Sequence, residues 1–446
     1  MAHPFKAYDV RGIYEKDIDV DLAYRIGRAF VYYLKGKTIA VGRDMRESSA
    51  PLSESLIQGL TDAGANVFDI GLASTDMLYF ASINLGTDGG IMVTASHNPK
   101  QYNGFKFVRK NAVPIGLESG LADIEVLVKT GDLSEAATKG KYEKIDLLDE
   151  FIKFMHSFVK PSELKPLSVV IDAGNGMGGL VMPKLLKGSP LKITPMFYEL
   201  DGNFPNHEAN PLEEQNRVQL EAKVKEIGAD LGVGLDGDAD RAFFVDGKGK
   251  FCSGDFILGL LAKEVLKKHP GSMIAYDVRC SRFVTDTVHR LGGKTIMGKV
   301  GHAYAKLLMK KVGAEFGGEV SGHYYFKYKD AYFDSGNLTT LMLLKVLSDA
   351  NISLEKALEE TNGYYISGEI NSTVKDPDAK MHEVLSKYKH QAEQVLYVDG
   401  ISLVHKDWWV NIRKSNTEPL LRLNCEAYTK LGMEKLRDDV LSIIRS

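Results

Sequence analysis

The sequence is poor in cysteine, in long apolar runs and in net charge. Only 3 of its 446 residues are cysteine, and an odd number without a CxxC pair argues against a disulfide framework or a cysteine zinc site. No stretch has about 18 uninterrupted apolar residues, and the first residues lack the apolar core of a signal peptide. We therefore expect a cytoplasmic protein with no membrane partner.

The small net charge limits the possible ligands. The formal charge is −3, whereas nucleic-acid-binding proteins usually show an excess of basic residues, so no nucleic-acid partner is expected. Any bound anion has to be small and held by a local cluster of donors. A hydrophobic share of 44% is ordinary for a globular protein, and 446 residues exceed what one core organises. Three or four domains are predicted.

Three segments share one plan, in which an apolar β-rich run precedes an aspartate turn and an amphipathic stretch. Such alternation is typical of parallel-sheet α/β units, and its recurrence suggests three α/β domains of related design. The segments are residues 37–49, 167–179 and 272–283, and their aspartates are Asp44, Asp172 and Asp277.

Breaks in composition divide the chain further. Turn-rich stretches lie at 161–167, 245–255 and 361–370, and the predicted strand 407–413 and final helix 429–445 indicate a smaller α+β domain at the end. The expected domains are residues 1–152, 153–250, 251–362 and 363–446.

The segment GIMVTASHNPKQYNGFKFV at 90–108 places Ser96 and His97 in a turn after an apolar strand. Such exits are where α/β sheets expose reactive groups. A serine hydroxyl needs a base, a metal or prior phosphorylation to act as a nucleophile. No aspartate orients His97 as in a catalytic triad, so a polar loop without chemistry stays the alternative.

The segment LGVGLDGDADRAFFVDG at 231–247 brings Asp236, Asp238 and Asp240 together. In an extended chain alternate side chains point the same way, so the three carboxylates would converge and repel one another without a hard cation. An EF-hand is excluded, because arginine and glycine stand where it needs glycine and glutamate. Three protein oxygens leave coordination positions open, which favours Mg²⁺ shared with a phosphate. An acidic turn without metal is the alternative.

The segment NIRKSNTEP at 411–419 leaves a strand and gathers four residues that donate to phosphate oxygens. It predicts a phosphate site, and an ordinary helix cap or polar surface loop is the alternative. The four residues are Arg413, Ser415, Asn416 and Thr417.

The segment FGGEVSGHYYF at 316–326 sets Glu319, Ser321 and His323 in a loop between apolar runs. A carboxylate and a hydroxyl two residues apart can bind neighbouring sugar hydroxyls. A simple β-turn is the alternative.

Two N-terminal pieces carry arginines. YDVRG offers Tyr8 and Arg11, and GRDMR offers Arg43 and Arg46. Either piece could be structural, with its arginine in an ion pair with Asp9 or Asp44, and for Arg43 and Arg46 a structural role is expected.

Together these motifs resemble the α-D-phosphohexomutase family and occur in its order from Tyr8 to Pro419. TASHNP resembles the family's phosphoserine loop, DGDADR its metal loop, GEVSGH its sugar loop and RKSNTEP its phosphate loop. GEVSGH is more similar to the phosphomannomutase/phosphoglucomutase branch than to phosphoglucosamine mutases, which usually carry Gln between Glu and Ser. The resemblance implies four domains around a central cleft, three α/β with mixed sheets and a smaller α+β domain, each contributing one loop.

The resemblance also implies roles for individual residues. Ser96 is the phosphorylated nucleophile, and Asp236, Asp238, Asp240 and a phosphoserine oxygen bind Mg²⁺. The further catalytic residues implied are Arg11, His97, Lys106 and His323. The implied substrate-binding residues are Tyr8, Arg241, Arg279, His302, Glu319, Ser321, Arg413, Ser415, Asn416 and Thr417.

The implied activity interconverts hexose 1-phosphate and hexose 6-phosphate of mannose or glucose through a hexose 1,6-bisphosphate. Glucose 1,6-bisphosphate or mannose 1,6-bisphosphate is the expected activator, and the protein is expected to be a monomer or a homodimer. The alternatives are a phosphoglucosamine mutase, a bisphosphate synthase, a phosphatase using the same serine and a non-catalytic sugar-phosphate sensor. The chain departs from the family pattern at STDM (74–77), at Arg279 in place of Lys and at Ser335 in place of Gly.

Overall fold

The computed structural model describes residues 3–131, 133–415 and 420–446, in which four β-sheets are found. Three sheets are mixed and flanked by helices, and the fourth is antiparallel throughout. This confirms the predicted architecture of three α/β domains and a smaller C-terminal domain.

The first domain contains a seven-stranded sheet in the order β1-β5-β4-β2-β3-β7, with β6 paired to β5. Its strands are β1 (Val10–Ile13), β2 (Thr38–Arg43), β3 (Asn66–Leu72), β4 (Gly89–Val93), β5 (Tyr102–Arg109), β6 (Val113–Pro114) and β7 (Tyr142–Lys144). Its helices are α1 (Val20–Leu34), α2 (Ser49–Asp62), α3 (Thr75–Asn84) and α4 (Leu121–Thr130), and α5 (Leu148–His156) leads to the second domain.

The second domain has a five-stranded sheet and two α-helices. The elements are β8 (Ser168–Asp172), α6 (Gly178–Leu185), β9 (Lys192–Met196), α7 (Val218–Ile227), β10 (Leu231–Leu235), β11 (Ala242–Asp246) and β12 (Phe251–Cys252).

The third domain repeats the five-stranded plan with more helices. The elements are α8 (Gly254–Lys268), β13 (Met273–Asp277), α9 (Arg282–Arg290), β14 (Lys294–Gly298), α10 (His302–Val312), β15 (Phe316–Gly318), β16 (Tyr324–Tyr328), β17 (Ala331–Asp334), α11 (Gly336–Ala350) and α12 (Leu354–Leu358).

The fourth domain packs two helices on an antiparallel sheet. The elements are β18 (Tyr365–Ile366), β19 (Ile370–Thr373), α13 (Pro377–Tyr388), β20 (Gln394–Leu396), β21 (Ile401–Val404), β22 (Trp408–Lys414), β23 (Leu420–Ala427) and α14 (Lys430–Arg445). Among the residues described, this domain has a core of its own, whereas one large cluster of buried side chains is shared by the first three domains, beside smaller clusters within each of them.

The three mixed sheets share one strand order. Read from the parallel side, they run β3-β2-β4-β5-β1, β9-β8-β10-β11-β12 and β14-β13-β15-β16-β17, and the first sheet has one more parallel strand, β7, beside β3. In each, two parallel pairings are followed by two antiparallel ones. The central strands β4 and β10 are buried at every position, as expected for strands covered on both faces. The predicted relationship between the three domains is confirmed.

The recurring aspartates close the same turn in each domain. Each follows or ends the second strand of the shared order, which is β2, β8 or β13. Its Oδ1 accepts the backbone N–H two residues later, a bond that only a short side chain makes. The three bonds are Asp44 to Arg46 (3.0 Å), Asp172 to Gly174 (2.8 Å) and Asp277 to Arg279 (2.7 Å).

No helix within the described ranges combines the length and apolar character needed to cross a lipid bilayer.

Two of the departures from the family pattern meet at the contact between the first and third domains. Asp76, at the start of α3, is 1% exposed. Its carboxylate accepts hydrogen bonds from Asn337 Nδ2 at 2.9 Å and from the hydroxyls of Ser335 and Ser74. Burial raises the pKa of Asp76 to about 6, with the hydrogen bonds to Ser335 and Ser74 opposing the rise.

Asp76 is therefore expected to make stability depend on pH between about 4 and 6. The folded protein holds this proton more tightly than the unfolded chain, whose carboxyl has a pKa of 3.8, so its contribution to stability falls as pH rises through about 6. Urea-unfolding midpoints of wild type and Asp76→Asn at pH 4.5 and pH 7 measure this. The difference in free energy of unfolding between the variant and wild type should shift in favour of the variant when the pH is raised from 4.5 to 7. An equal difference at both pH values contradicts the prediction.

Candidate active site

Three loops of the site leave the same position in the three mixed sheets. Each follows the strand at which parallel pairing changes to antiparallel pairing: β4, β10 and β15. The loops are residues 94–101, 236–241 and 319–323, and they carry Ser96, the three aspartates and Glu319. Equivalent topology in three domains thus delivers the predicted functional residues.

Ser96 is held in an unusual backbone conformation. Its φ is +49°, in the left-handed region that non-glycine residues rarely adopt, and the residue is 3% exposed. The hydroxyl donates to Asp236 Oδ2 at 2.8 Å, and its Oγ lies 3.2 Å from Nδ1 of His97. The Ser96 N–H donates to Thr94 Oγ1 at 2.9 Å. The serine of the first domain is thus bonded to a carboxylate of the second.

The guanidinium of Arg46 fixes the Ser96 loop. It is 2% exposed, its Nε lies 3.2 Å from Asp44 Oδ2, and its plane lies over the Phe204 ring at 5.0 Å. It donates to three backbone carbonyls of the loop, those of Ser96 (2.8 Å), Asn98 (2.6 Å) and Pro99 (2.9 Å), and to a fourth at the start of β5, that of Tyr102 (3.1 Å). The expected structural role of Arg46 is confirmed.

The three aspartates converge as predicted. Asp236, Asp238 and Asp240 are fully buried, and each offers a carboxylate oxygen that lies within 4.8 Å of the others. The predicted extended conformation of this segment was wrong, because residues 236–240 form a turn. Ala239 has a φ of +58°, and this left-handed residue turns the chain so that the carboxylates meet.

Lys106 of β5 neutralises two of these carboxylates. Its Nζ lies 2.6 Å from Oδ2 of Asp238 and 2.6 Å from Oδ2 of Asp240. Burial opposes ionisation of Asp238, but Lys106 outweighs it and holds the Asp238 pKa well below its usual range. Burial and the neighbouring Asp238 raise the pKa of Asp240 to about 7. Thr75, which the motifs did not indicate, donates its hydroxyl to Asp238 at 2.6 Å.

The cluster could hold a metal ion. Oδ1 of Asp238 and Oδ1 of Asp240 are buried and have no hydrogen-bond partner within the described ranges. A buried anionic oxygen without a donor is costly, and a hard cation is a partner that would satisfy it. The donor set, all carboxylate oxygen, fits such an ion.

Cations surround the aspartates from two further sides. Arg241 Nε donates to Asp236 Oδ2 at 2.8 Å. His323 Nδ1 lies 2.9 Å from Asp334 Oδ2 and 3.8 Å from Asp240 Oδ1. Burial alone would lower the His323 pKa, but the two carboxylates raise it.

His302 and Lys306, both on α10, complete this side. The rings of His302 and His323 stack with centroids 5.6 Å apart, and burial keeps the His302 pKa well below its usual value. Lys306 Nζ lies 2.7 Å from Asp334 Oδ1. Neither Lys306 nor Asp334 was predicted to belong to the site. A lysine in an amphipathic helix is ordinarily exposed, so the sequence offered no reason to expect Lys306 there.

Glu319 and Ser321 lie together in the loop after β15. Glu319 is 2% exposed, and its Oε2 accepts the Ser321 hydroxyl at 2.9 Å. Its Oε1 accepts the Tyr325 hydroxyl at 2.7 Å and the Gly301 N–H at 3.0 Å. Arg279 NH2 lies 3.3 Å from Ser321 Oγ and donates to Asp277 at 2.7 Å. These bonds preorient the carboxylate and the guanidinium.

Arg413 lies on β22 and faces Arg422 on β23. Both guanidiniums pair with Glu369, and Arg422 also donates to the Ser415 hydroxyl at 3.4 Å. The sequence analysis did not predict Arg422 or Glu369. The position of Arg422 on the strand paired with that of Arg413 is a signal that could have indicated Arg422. Asn416 and Thr417 lie outside the described residues.

The two remaining predicted residues, Tyr8 and Arg11, come from the N-terminal part of the chain. Arg11 donates to Asn98 Oδ1 at 2.6 Å and pairs with Asp9. The Tyr8 hydroxyl donates to the carbonyl of Val300 at 2.9 Å, and its ring packs on His302 at 5.7 Å. Tyr8 thus connects the first domain to the third.

Comparison with known proteins agrees with this geometry. Four domains described as phosphoglucomutase/phosphomannomutase match the chain: alpha/beta/alpha domain I over residues 2–135, domain II over 149–249, domain III over 253–364 and the C-terminal domain over 369–443. A phosphomannomutase from Vibrio cholerae is 42% identical over 441 residues, 96% of this chain and 95% of that protein. One from Escherichia coli is 41% identical over 446 residues, 98% and 97% of the two chains.

A solved structure supports the same assignment. It is described as a phosphoglucomutase/phosphomannomutase family protein from Burkholderia thailandensis, and it matches with a TM-score of 0.90 and 32% identity over 99% of this chain and 97% of that one. The chain therefore belongs to the phosphoglucomutase/phosphomannomutase family and is a phosphohexomutase, which confirms the resemblance seen in the motifs.

Replacing the Arg46 clamp should loosen the serine loop. Arg46→Lys keeps the charge but cannot reach four carbonyls, so we expect a loss of about 2 kcal/mol in the free energy of unfolding and a clear loss of activity. Arg43→Lys at the end of β2 is the matched control and should change stability by about 0.5 kcal/mol or less. Equal effects of the two substitutions in urea unfolding and turnover assays would show that Arg46 has no special role.

Proposed function

We propose that this phosphohexomutase transfers a phosphoryl group between the two ends of mannose and glucose phosphates, with Ser96 as the covalent carrier. The observation that carries the proposal is the bond of 2.8 Å between Ser96 Oγ and Asp236 Oδ2, inside a buried group of three converging carboxylates. Phosphoryl transfer needs a positioned nucleophile beside fixed charges, and this arrangement supplies both from different domains. The relatives' shared name, phosphomannomutase, supports mannose phosphate as one substrate.

Mg²⁺ is the proposed metal. Asp236, Asp238, Asp240 and an oxygen of phosphorylated Ser96 would hold it, and it would offset negative charge on the transferred group. Lys106 holds its proton, because the two aspartates raise its pKa in spite of burial. It can therefore act as a fixed cation beside the transferred group.

Arg11, His97 and His323 are proposed to act beside Ser96 and the reacting hydroxyl. Burial keeps the pKa of His97 well below its usual value, with Arg241 and Arg11 adding to the effect. The ring is therefore neutral, and its Nδ1, 3.2 Å from Oγ, is proposed to orient the serine hydroxyl through a hydrogen bond. His323, with its raised pKa, is suited to holding a proton near the sugar.

The other predicted residues are proposed to orient the substrate. Glu319 and Ser321 would bind the 3- and 4-hydroxyls, which mannose and glucose share in configuration, so both sugars are accepted. Tyr8, Arg241 and His302 would line the sugar. The phosphate that does not react would be held by Arg279, Arg413, Ser415, Asn416 and Thr417.

A single serine can serve both ends only if the hexose 1,6-bisphosphate turns around between two transfers. Glucose 1,6-bisphosphate or mannose 1,6-bisphosphate is therefore proposed as the activator that restores phosphate to Ser96. A phosphatase using the same serine would have no use for the arginines at residues 279, 413 and 422. The domain limits after residues 152, 250 and 362, a cytoplasmic location and a monomeric or dimeric state also remain proposals. The three buried free cysteines support a reducing compartment.

Removal of the Ser96 hydroxyl should abolish transfer. Ser96→Ala loses the carrier, so mutase activity should fall by several orders of magnitude while the protein stays folded. By mass spectrometry, wild type incubated with glucose 1,6-bisphosphate should gain about 80 Da, which the variant lacks. Ser55→Ala on α2 is the matched control and should behave as wild type. Near-normal turnover by Ser96→Ala would exclude the phosphoserine route.

Glu319 should matter equally for both sugars. Glu319→Gln keeps the shape but removes a charged acceptor worth about 1.5–3 kcal/mol, so kcat/KM should fall roughly tenfold or more. Assays with mannose 1-phosphate and glucose 1-phosphate should show similar factors. Glu315→Gln, which removes a carboxylate paired with Lys327 at 3.2 Å, is the control. A loss confined to one sugar would mean that Glu319 contacts the 2-position instead.

A further inference from the structure

Glu369 lies where three arginines from two domains meet. Its Oε2 pairs with Arg413 and lies 3.9 Å from NH1 of Arg279, and its Oε1 lies 3.3 Å from NH1 of Arg422. Arg279 belongs to the third domain, and the other residues belong to the fourth. The carboxylate of Glu369 thus contacts all three arginines.

The backbone makes an anion at this point necessary. Arg413 and Arg422 are direct partners in the antiparallel pairing of β22 and β23. Like charges directly opposite each other destabilise such a pair unless an anion lies between them. Glu369, which immediately precedes β19 on the other side of β23, supplies that anion.

The Glu369 side chain is more accessible than those of Arg279 and Arg413, and about as accessible as that of Arg422, which is 27% exposed. The side chains of Arg279 and Arg413 are 9% and 6% exposed, whereas that of Glu369 is 25% exposed. Glu369 also lines a cavity of about 960 Å³ whose wall includes Arg279 and Ser321. An anion in this cavity therefore reaches Arg279 from the side on which Glu369 lies.

We propose that Glu369 is an internal stand-in for the substrate's phosphate: its carboxylate holds the arginines in the free enzyme and has to leave them when a sugar phosphate binds. The inference rests on the proposed function, which assigns Arg279 and Arg413 to that phosphate. A phosphate ester carries a charge of about −1.5 to −2 and three acceptor oxygens at neutral pH, so it satisfies three guanidiniums better than a carboxylate. Because the arginines belong to two domains, a phosphate that takes the place of the Glu369 carboxylate replaces one contact between the domains by another.

Binding to a variant without the carboxylate tests this competition. In a Ser96→Ala background, which prevents transfer, titration calorimetry gives Kd for glucose 1-phosphate and for inorganic phosphate. Adding Glu369→Gln should tighten both about five- to tenfold, because one negative charge near the phosphate is lost. Glu369→Asp, which keeps the charge, should give a Kd close to that of the parent. Asp378→Asn, which removes an exposed carboxylate paired with Lys414 at 2.9 Å, is the control and should change neither Kd.

The outcomes separate the inference from the function on which it rests. Unchanged or weaker binding in folded Glu369→Gln overturns the stand-in and makes Glu369 a residue that orients the arginines. Equally tighter binding in Asp378→Asn would show that the change in Kd follows from overall charge alone, which would also overturn the proposed role of Glu369. If the Ser96→Ala parent binds neither ligand at any concentration tested, the phosphate site itself is refuted, and the inference with it. Thermal unfolding of each variant verifies that it is folded.

Discussion

The burial of negative charge at the centre of the molecule is the constraint on which the rest depends. Asp236, Asp238, Asp240 and Asp334 are fully buried, and such charges are tolerated only when paired. Lysines, an arginine and a histidine from three domains supply the pairs: Lys106, Arg241, Lys306 and His323. Lys106 of the first domain pairs with Asp238 and Asp240 of the second, and His323 of the third lies 3.8 Å from Asp240. These contacts therefore neutralise charge and also hold the domains together. The serine then completes this network through its bond to Asp236.

Repetition of one sheet order explains how distant segments reach that centre. In each α/β domain the functional loop leaves the strand at which parallel pairing becomes antiparallel, so three similar domains present three loops. The aspartate turns at Asp44, Asp172 and Asp277 repeat as well, but their partners have diverged. Asp44 orients Arg46, which clamps the serine loop, whereas Asp277 orients Arg279 toward Glu319. The fourth domain, with a core of its own, contacts the third through Glu369 and Arg279 and through Arg282, which donates to backbone carbonyls of residues 405, 406 and 408.

The sequence predicted the architecture and the convergence of the main residues, because apolar periodicity and short motifs are local signals. It did not predict residues whose importance arises from tertiary contacts. Thr75 and Lys306 look ordinary in the chain and become partners of Asp238 and Asp334 only after the domains pack. The conformation of the aspartate loop was also mistaken, because one left-handed residue, Ala239, leaves no clear trace in composition. Asn416 and Thr417 stay predictions.

The fate of the phosphoryl group on Ser96 is the most direct measurement of the central claim. Enzyme labelled on Ser96 with radioactive phosphate, and freed of small molecules, is mixed with excess unlabelled glucose 1-phosphate and Mg²⁺ and quenched within a single turnover. The label should leave the protein at the catalytic rate and be recovered in glucose 1,6-bisphosphate and then in glucose 6-phosphate. Release of the label as inorganic phosphate, or its retention on Ser96 while product forms, would contradict the role of this serine as the carrier.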